Sequence, residues 1–306
     1  NGLYPPGSIV KMGMALAFLD NGMSKYDSFY CSGSYELGGR KFRCWKSWGH
    51  GRVSLVEAIK GSCDVYFYEG SLLVGIDYMS AYLQRLGFGS KTGVDLPNEF
   101  VGTMPNKAWK MQKFKRAWYQ GETVNASIGQ GDVLVTPMQV AKNTAQIASG
   151  KAITPHFLKS IDGKPVEFTP TELFTPKEKA QLPLVRRGMY EVGNNPDGGT
   201  AYKLIHTAVV PLAVKTGTAQ VVGISQTAKK RMKEADMDYF HRSHAWMTSF
   251  GPYDKPQYAV TVLVEHGGGG GSAAGPVIMQ IYEKLAQMGY IDANATTSKD
   301  SAKKTK

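Results

Sequence analysis

Residues 12–19 read Met-Gly-Met-Ala-Leu-Ala-Phe-Leu, with hardly a polar interruption before the stop signal Asn21-Gly22. A helix that is apolar all round has to be enclosed by other elements, so this run predicts a buried helix. Its entrance carries Ser8 and Lys11, at a spacing (i, i+3) that makes them neighbours on a helix surface. The preceding Tyr4-Pro5-Pro6-Gly7 predicts an extended turn that places Ser8 at the helix N-terminus, where free backbone N–H groups favour a developing oxyanion. A serine hydroxyl is a weak nucleophile at its free pKa. It needs a base within reach, and a lysine kept neutral by burial or by a neighbouring cation can serve.

A serine three residues before a lysine is a common accident, and two further strings give it meaning. Ser62-Cys63-Asp64 and Lys215-Thr216-Gly217-Thr218 follow in order. S-x-x-K, S-D-N and K-T-G together form the signature of class A β-lactamases and penicillin-binding proteins, in which acyl transfer passes through a serine ester. Lys91-Thr92-Gly93 is a second K-T-G. It sits between Gly87-Phe88-Gly89-Ser90 and Val94-Asp95-Leu96-Pro97, a punctuated loop with no strand before it, and reads as structural. Lys215 instead follows the apolar, β-branched run Ala208–Val214, which predicts a strand carrying Lys215 and the two threonines along a cleft wall.

Longer segments carry a family resemblance. Leu3-Tyr4-Pro5-Pro6-Gly7-Ser8, Asn125-Ala126-Ser127-Ile128-Gly129-Gln130-Gly131-Asp132, Val135-Thr136-Pro137-Met138-Gln139, Lys215-Thr216-Gly217-Thr218-Ala219-Gln220 and the stretch from His244-Ala245-Trp246 to Glu265 resemble the transpeptidase domain of class B penicillin-binding proteins. Asp64, where most relatives have asparagine, is most similar to the penicillin-binding protein 2 group of elongation transpeptidases. The resemblance runs from residue 1 to about residue 288 and implies a penicillin-binding, serine β-lactamase-like fold.

The resemblance also implies the roles. Ser8 attacks the penultimate carbonyl of a stem peptide ending in D-Ala-D-Ala, and Lys11 takes its proton. Backbone N–H groups of Ser8 and Thr218 form the oxyanion hole. Ser62 and Lys215 relay a proton to the leaving amine, while Thr216, Gly217 and Thr218 with the Lys215 cation line the carboxylate site. Asp64 orients Ser62 or Lys11 and the substrate amide; unlike an asparagine it can only accept unless protonated. β-Lactams would acylate the same serine. A SEDS-type glycosyltransferase and scaffold proteins of the elongation machinery are the implied partners, and the periplasmic face of the inner membrane is the implied location.

Relatives carry strands, a pedestal domain and a membrane anchor upstream, so the chain reads as part of a longer protein. No stretch reaches the roughly 18 apolar residues of a spanning helix, and no signal peptide is present. With 306 residues and 42% hydrophobic content the chain can bury a large core. Residues 1–290 read as the transpeptidase domain, and 291–306, small, polar and lysine-rich, as a disordered tail. The net charge of +11 does not indicate nucleic-acid binding, because the basic residues are scattered without interleaved aromatics. A basic surface next to an anionic membrane or wall polymer is a milder explanation, and most of these charges read as simply solvated.

Capping signals predict helices from Ser54 toward Leu73, with Ser62–Asp64 within or at a break, and from Thr136-Pro137 and Thr175-Pro176 to about Ala148 and Val192. Asp77–Leu86 is a further helix stopped by Gly87. Strands follow at 208–214, 245–250 and 258–265, then a closing amphipathic helix at 276–288. Helices first and strands late predict an α+β fold, an antiparallel sheet flanked by helices. Residues 221–243 read as a mobile flap and Gly267–Gly271 as a flexible connection.

All three cysteines and one histidine fall within 33 residues, as Cys31-x₁₂-Cys44-x₅-His50-x₁₂-Cys63. Three thiolates and an imidazole complete a tetrahedral zinc site. The penicillin-binding protein 2 resemblance implies such a site here, with Cys31 and Cys44 at positions that are aspartates in some relatives. A Cys31–Cys44 disulfide with Cys63 free, or three unrelated thiols, are the alternatives. Two other functional classes share the acylation residues: a serine β-lactamase, although no class A E-x-x-x-N segment can be placed, and a penicillin-recognising sensor that acylates and stops.

Overall fold

The computed structural model describes residues 2–223 and 232–292. A 3₁₀ turn, Gly7–Val10, runs directly into helix α1 (Lys11–Asp20), and every residue from Lys11 to Leu19 is buried. Four short strands follow: β1 (Ser28–Cys31), β2 (Ser34–Leu37), β3 (Arg40–Arg43) and β4 (Gly51–Ser54), pairing antiparallel as β1 with β4 and β2 with β3. Helices α2 (Leu55–Lys60), α3 (Asp64–Val74), α4 (Ile76–Arg85), α5 (Lys107–Phe114), α6 (Gln120–Ser127) and α7 (Pro137–Ser149) come next. Two small ribbons are built from β5 (Lys151–Ala152), β6 (Ser160–Ile161), β7 (Lys164–Pro165) and β8 (Thr171–Glu172), pairing β5 with β8 and β6 with β7. The chain then forms α8 (Pro176–Asn194), α9 (Tyr202–Ile205), β9 (Ala213–Ala219), β10 (His244–Gly251), β11 (Tyr258–Val264) and α10 (Gly270–Gln287).

The fold is α+β. Its main sheet is antiparallel in the order β11-β10-β9, with Lys215 opposite Thr248 and Thr218 opposite Ala245. The central strand β10 is buried along its whole length, while β9 keeps one free edge. Helices α7, α8 and α10 cover the sheet, and α2, α3, α4 and α8 enclose α1. An all-apolar helix therefore sits where its sequence requires, removed from water on every side. No helix among the described residues is long and apolar enough to cross a membrane.

Local signals account for most boundaries. Thr136 and Thr175 each accept from the N3 backbone N–H, Gln139 or Glu178 caps the reciprocal donor, and proline opens the helix. The expected helix from Ser54 toward Leu73 is two helices, α2 and α3, separated at Gly61–Cys63, where Ser62 adopts φ +51°.

Several boundaries differ from expectation. Strand β9 occupies 213–219 rather than 208–214, because Pro211 lacks the ladder donor and the chain enters the sheet only after it. Ser8 is the second residue of a 3₁₀ turn, not the first of an α-helix; three residues per turn eclipses Ser8 and Lys11 on one side. Helix α10 begins at Gly270, inside the glycine run expected to be a flexible connection. A Cβ at Gly270 would lie 2.1 Å from Gly217 O and 2.5 Å from Trp246 O, so glycine permits the close seating of α10 on the sheet. Strands β1–β4 precede most helices, against the helices-first order. Ile291 is buried in the core, one residue past the expected domain end, and the expected tail from 293 onward lies outside the described residues. The expected flap at 221–243 lies partly outside them too; its described part includes 3₁₀ turns at Glu234–Asp236 and Tyr239–His241.

Candidate active site

Four hydrogen bonds fix the chain as it enters Ser8. Tyr4 and Val135 exchange two backbone bonds at 3.0 Å, the Trp246 indole donates to Pro5 O at 3.1 Å, and Gly7 N–H donates to Gly129 O at 3.0 Å. The segments singled out in the sequence thus converge on one point. Gly7 at φ +55° lies so near β9 that an added Cβ would sit 3.0 Å from Thr218 O, and one on Gly129 would lie 2.3 Å from Gly7 O. The Ser8 turn is thereby pressed against the edge of β9 at Thr218. Ser8 is half-buried, and its hydroxyl makes no hydrogen bond with the described residues. A cavity of about 380 Å³, lined among others by Pro5, Gln130 and Gln220, opens past the end of β9.

Behind Ser8 lies a buried polar network. Lys11 Nζ, wholly enclosed, donates to Asp64 Oδ1 at 2.7 Å, Ser62 O at 2.9 Å and Ser62 Oγ at 3.3 Å. Lys215 Nζ, equally enclosed, donates to the same Ser62 Oγ at 3.0 Å and to Thr216 O at 2.9 Å. One hydroxyl therefore bridges two lysines that are 204 residues apart in sequence. Burial, and then the Lys11 charge, hold the Lys215 pKa well below the ordinary lysine value. Burial raises the Asp64 pKa, with the Lys11 ammonium opposing it. Two ammonium groups and one carboxylate would leave an uncompensated buried positive charge, so one neutral amine is the favoured state, and Lys215 is the site pushed toward it.

The remaining expected residues lie at the strand. Thr216 and Thr218 share one face of β9, Lys215 and Gly217 the other. Thr216 Oγ1 is 3.1 Å from Thr200 Oγ1, and Thr218 Oγ1 accepts from Gly270 N–H at 3.2 Å. The second K-T-G lies apart: Thr92 is buried, donates through N and Oγ1 to Glu99, and accepts from Lys142 Nζ at 2.9 Å, while Lys91 is exposed outside any strand.

Cys31, Cys44, His50 and Cys63 converge, with donor atoms all within 4.8 Å of one another, and the three cysteines are free buried thiols. His50 Nδ1 is 3.6 Å from Cys31 Sγ and 3.5 Å from Cys44 Sγ. A tetrahedron with metal–N of about 2.0–2.1 Å and metal–S of about 2.3 Å has N···S edges of about 3.5 Å, so this separation fits zinc. His50 Nε2 lies 3.0 Å from Gly61 O, which fixes the tautomer: Nε2 carries the proton and Nδ1 offers its lone pair to the thiols. Hydrogen bonding with the Cys63 thiol, against burial, pulls Cys44 down to about 2, and the same contact raises Cys63. Cys44 Sγ also accepts from Asp64 N–H at 3.4 Å, so this group adjoins the lysine network.

Trp45 and Thr200 carried no sequence signal of their own. Trp45 N–H donates to Asp64 Oδ2 at 2.9 Å and its indole to Gly61 O at 2.9 Å. Only its place directly after Cys44 pointed to the site.

Comparison with known proteins shows what the chain is similar to. The family model described as the penicillin binding protein transpeptidase domain matches residues 1–283. The peptidoglycan D,D-transpeptidase MrdA of Salmonella typhimurium is 37% identical over 294 residues, covering 93% of this chain and 46% of the relative. Penicillin-binding protein 2 of Helicobacter pylori, solved in complex with MreC, superposes with a TM-score of 0.85 at 46% identity, covering 95% of this chain and 51% of that one. Penicillin-binding protein 2 of Pseudomonas aeruginosa, solved with WCK 5153, gives 0.82 at 38% identity, covering 93% and 61%. The chain spans about half the length of the curated relatives it matches. With the family model covering nearly all of the sequence, the chain belongs to the penicillin-binding protein transpeptidase family.

Proposed function

We propose that this chain catalyses acyl transfer as a peptidoglycan D,D-transpeptidase, with Ser8 as nucleophile. The observation that carries the reading is the Ser62 hydroxyl between Lys11 and Lys215 at 3.3 and 3.0 Å, buried behind a serine with no competing hydrogen bond. A proton passed from Lys11 to Ser62 Oγ, with the Ser62 proton moving on to Lys215, exchanges which amine is neutral. A substrate's terminal carboxylate, held by Thr216 and Thr218, stabilises the Lys215 ammonium and draws the proton that way. Lys11 is then the neutral base.

Lys11 takes the Ser8 proton as Oγ attacks the penultimate D-Ala carbonyl, and the N–H groups of Ser8 and Thr218 hold the oxyanion. Collapse breaks the peptide bond. The departing D-Ala amine takes the Ser62 hydroxyl proton, which Lys215 replaces. An acceptor amine then attacks the serine ester, returns the hydroxyl to Ser8 and leaves a cross-linked amide. β-Lactams enter the first half of this sequence. The MrdA similarity and the MreC complex of the Helicobacter relative support a periplasmic role in wall elongation with a scaffold partner. A SEDS-type glycosyltransferase is the further partner the resemblance implies.

Zinc is the group we assign to Cys31, Cys44, His50 and Cys63, in a structural role, since four protein ligands leave no open position.

The test is intact mass after incubation with penicillin, followed by peptide mapping. One adduct on Ser8, persisting for many minutes, is expected; labelling that survives Ser8→Ala removes the assignment. Rapid penicillin hydrolysis would mark a β-lactamase, and acylation without turnover of a D-Ala-D-Ala peptide a sensor.

A further inference from the structure

Asp64 is gripped at three atoms. Oδ1 meets Lys11, Oδ2 takes the Trp45 N–H, and its own N–H donates to Cys44 Sγ. The Trp45 side chain reaches the other end of the same turn, where its Nε1–H donates to Gly61 O at 2.9 Å. Between these two anchors stands Ser62 at φ +51°, a conformation that an L side chain holds only with outside support. Trp45 is 52% exposed, so core burial does not explain its orientation; its ring meets His50 edge-on at 5.5 Å.

We propose that Trp45 is a positioning residue for the acylation step, clamping the Gly61–Asp64 turn so that Ser62 Oγ stays between Lys11 and Lys215. The inference rests on the acyl-transfer reading above. Without the indole N–H, Gly61 O keeps only its His50 contact, and the turn, still closed by the Ser62 N–H to Ile59 O and Cys63 N–H to Ala58 O bonds, is free to shift as a unit, which moves Oγ off the bridge. Carboxylate recognition rests on the Thr216 and Thr218 hydroxyls, which do not touch this turn, and on Lys215 Nζ, which keeps its anchor at Thr216 O when Ser62 Oγ moves. The signature is therefore a lower acylation rate constant with an unchanged dissociation constant for the complex that precedes the covalent bond.

Two replacements isolate the contact. Trp45→Phe keeps a ring and the backbone N–H, and β-(3-benzothienyl)alanine at 45 exchanges only the indole N–H for sulfur. Stopped-flow acylation by a chromogenic penicillin should show both falling about tenfold in rate constant, with the melting temperature lowered by no more than about 2–4 °C and the pre-covalent affinity retained. Trp48→Phe, changing an exposed neighbour 77% accessible, should match the parent. Parental rates in both Trp45 replacements would overturn the clamp while leaving the Ser8 reading intact, and so would a rate loss matched by an equal loss of pre-covalent affinity. A parent protein that penicillin does not acylate at Ser8 would overturn both.

Discussion

Lys91 and Lys215 begin identical tripeptides, and their surroundings separate them. Lys215 is wholly buried against Ser62 Oγ, whereas Lys91 is exposed beside a threonine tied to Glu99. Lys215→Ala should slow acylation by penicillin by about 10²-fold or more, since it removes a proton carrier from the network, while Lys91→Ala should change nothing. Equal losses in the two variants would show that the cleft is misplaced. The catalytic side chains were legible as residues because acyl transfer needs particular functional groups at particular spacings. The supports were not: Trp45 acts partly through its backbone N–H and Thr200 through a partner 16 residues away, and neither leaves a local pattern.

At the scale of elements, capped helices were readable because capping is a local exchange of hydrogen bonds, as at Thr136/Gln139 and Thr175/Glu178. Strands β1–β4 were not, being four residues each and partly exposed, too short for alternation to declare itself. How elements meet was equally hidden, and Gly129 shows why. Its φ of +71° and its approach to Gly7 concern a contact 122 residues away in sequence. Gly129→Ala should displace the turn that carries Ser8, lowering the acylation rate at least about tenfold, because small misplacements of reacting groups are costly. Gly38→Ala, at φ +56° in open space, should cost only about 1 kcal/mol of backbone strain and leave acylation intact. Stopped-flow rates and thermal melts on the two variants distinguish them; an unaffected Gly129→Ala would mean the turn tolerates movement.

On the scale of the whole molecule, the α+β class followed from the segregated helical and strand segments, although β1–β4 broke the helices-first order, and the burial of α1 followed from its unbroken apolar run. The sequence already put Cys63 inside the Ser62–Asp64 motif; what its linear order concealed is how the thiol–imidazole group and the lysine network touch there. Cys63 and Asp64 are consecutive, Cys44 accepts the Asp64 N–H, and Asp64 pairs with Lys11 on α1. A metal held by the four ligands would therefore brace both the β1–β4 region and the catalytic turn. Metal analysis should give about one zinc per chain, and thiol titration of the native protein few reactive groups. Because binding and folding are coupled at such sites, chelation should lower the melting temperature and, through Cys63 and Asp64, slow acylation. Cys44→Ser should reproduce both effects, whereas the exposed Ser160→Ala should cause neither. A protein lacking zinc, with a Cys31–Cys44 disulfide and full acylation activity, would refute the metal assignment and leave the serine chemistry standing, since Lys11 and Lys215 meet at Ser62 Oγ without any of the four ligands.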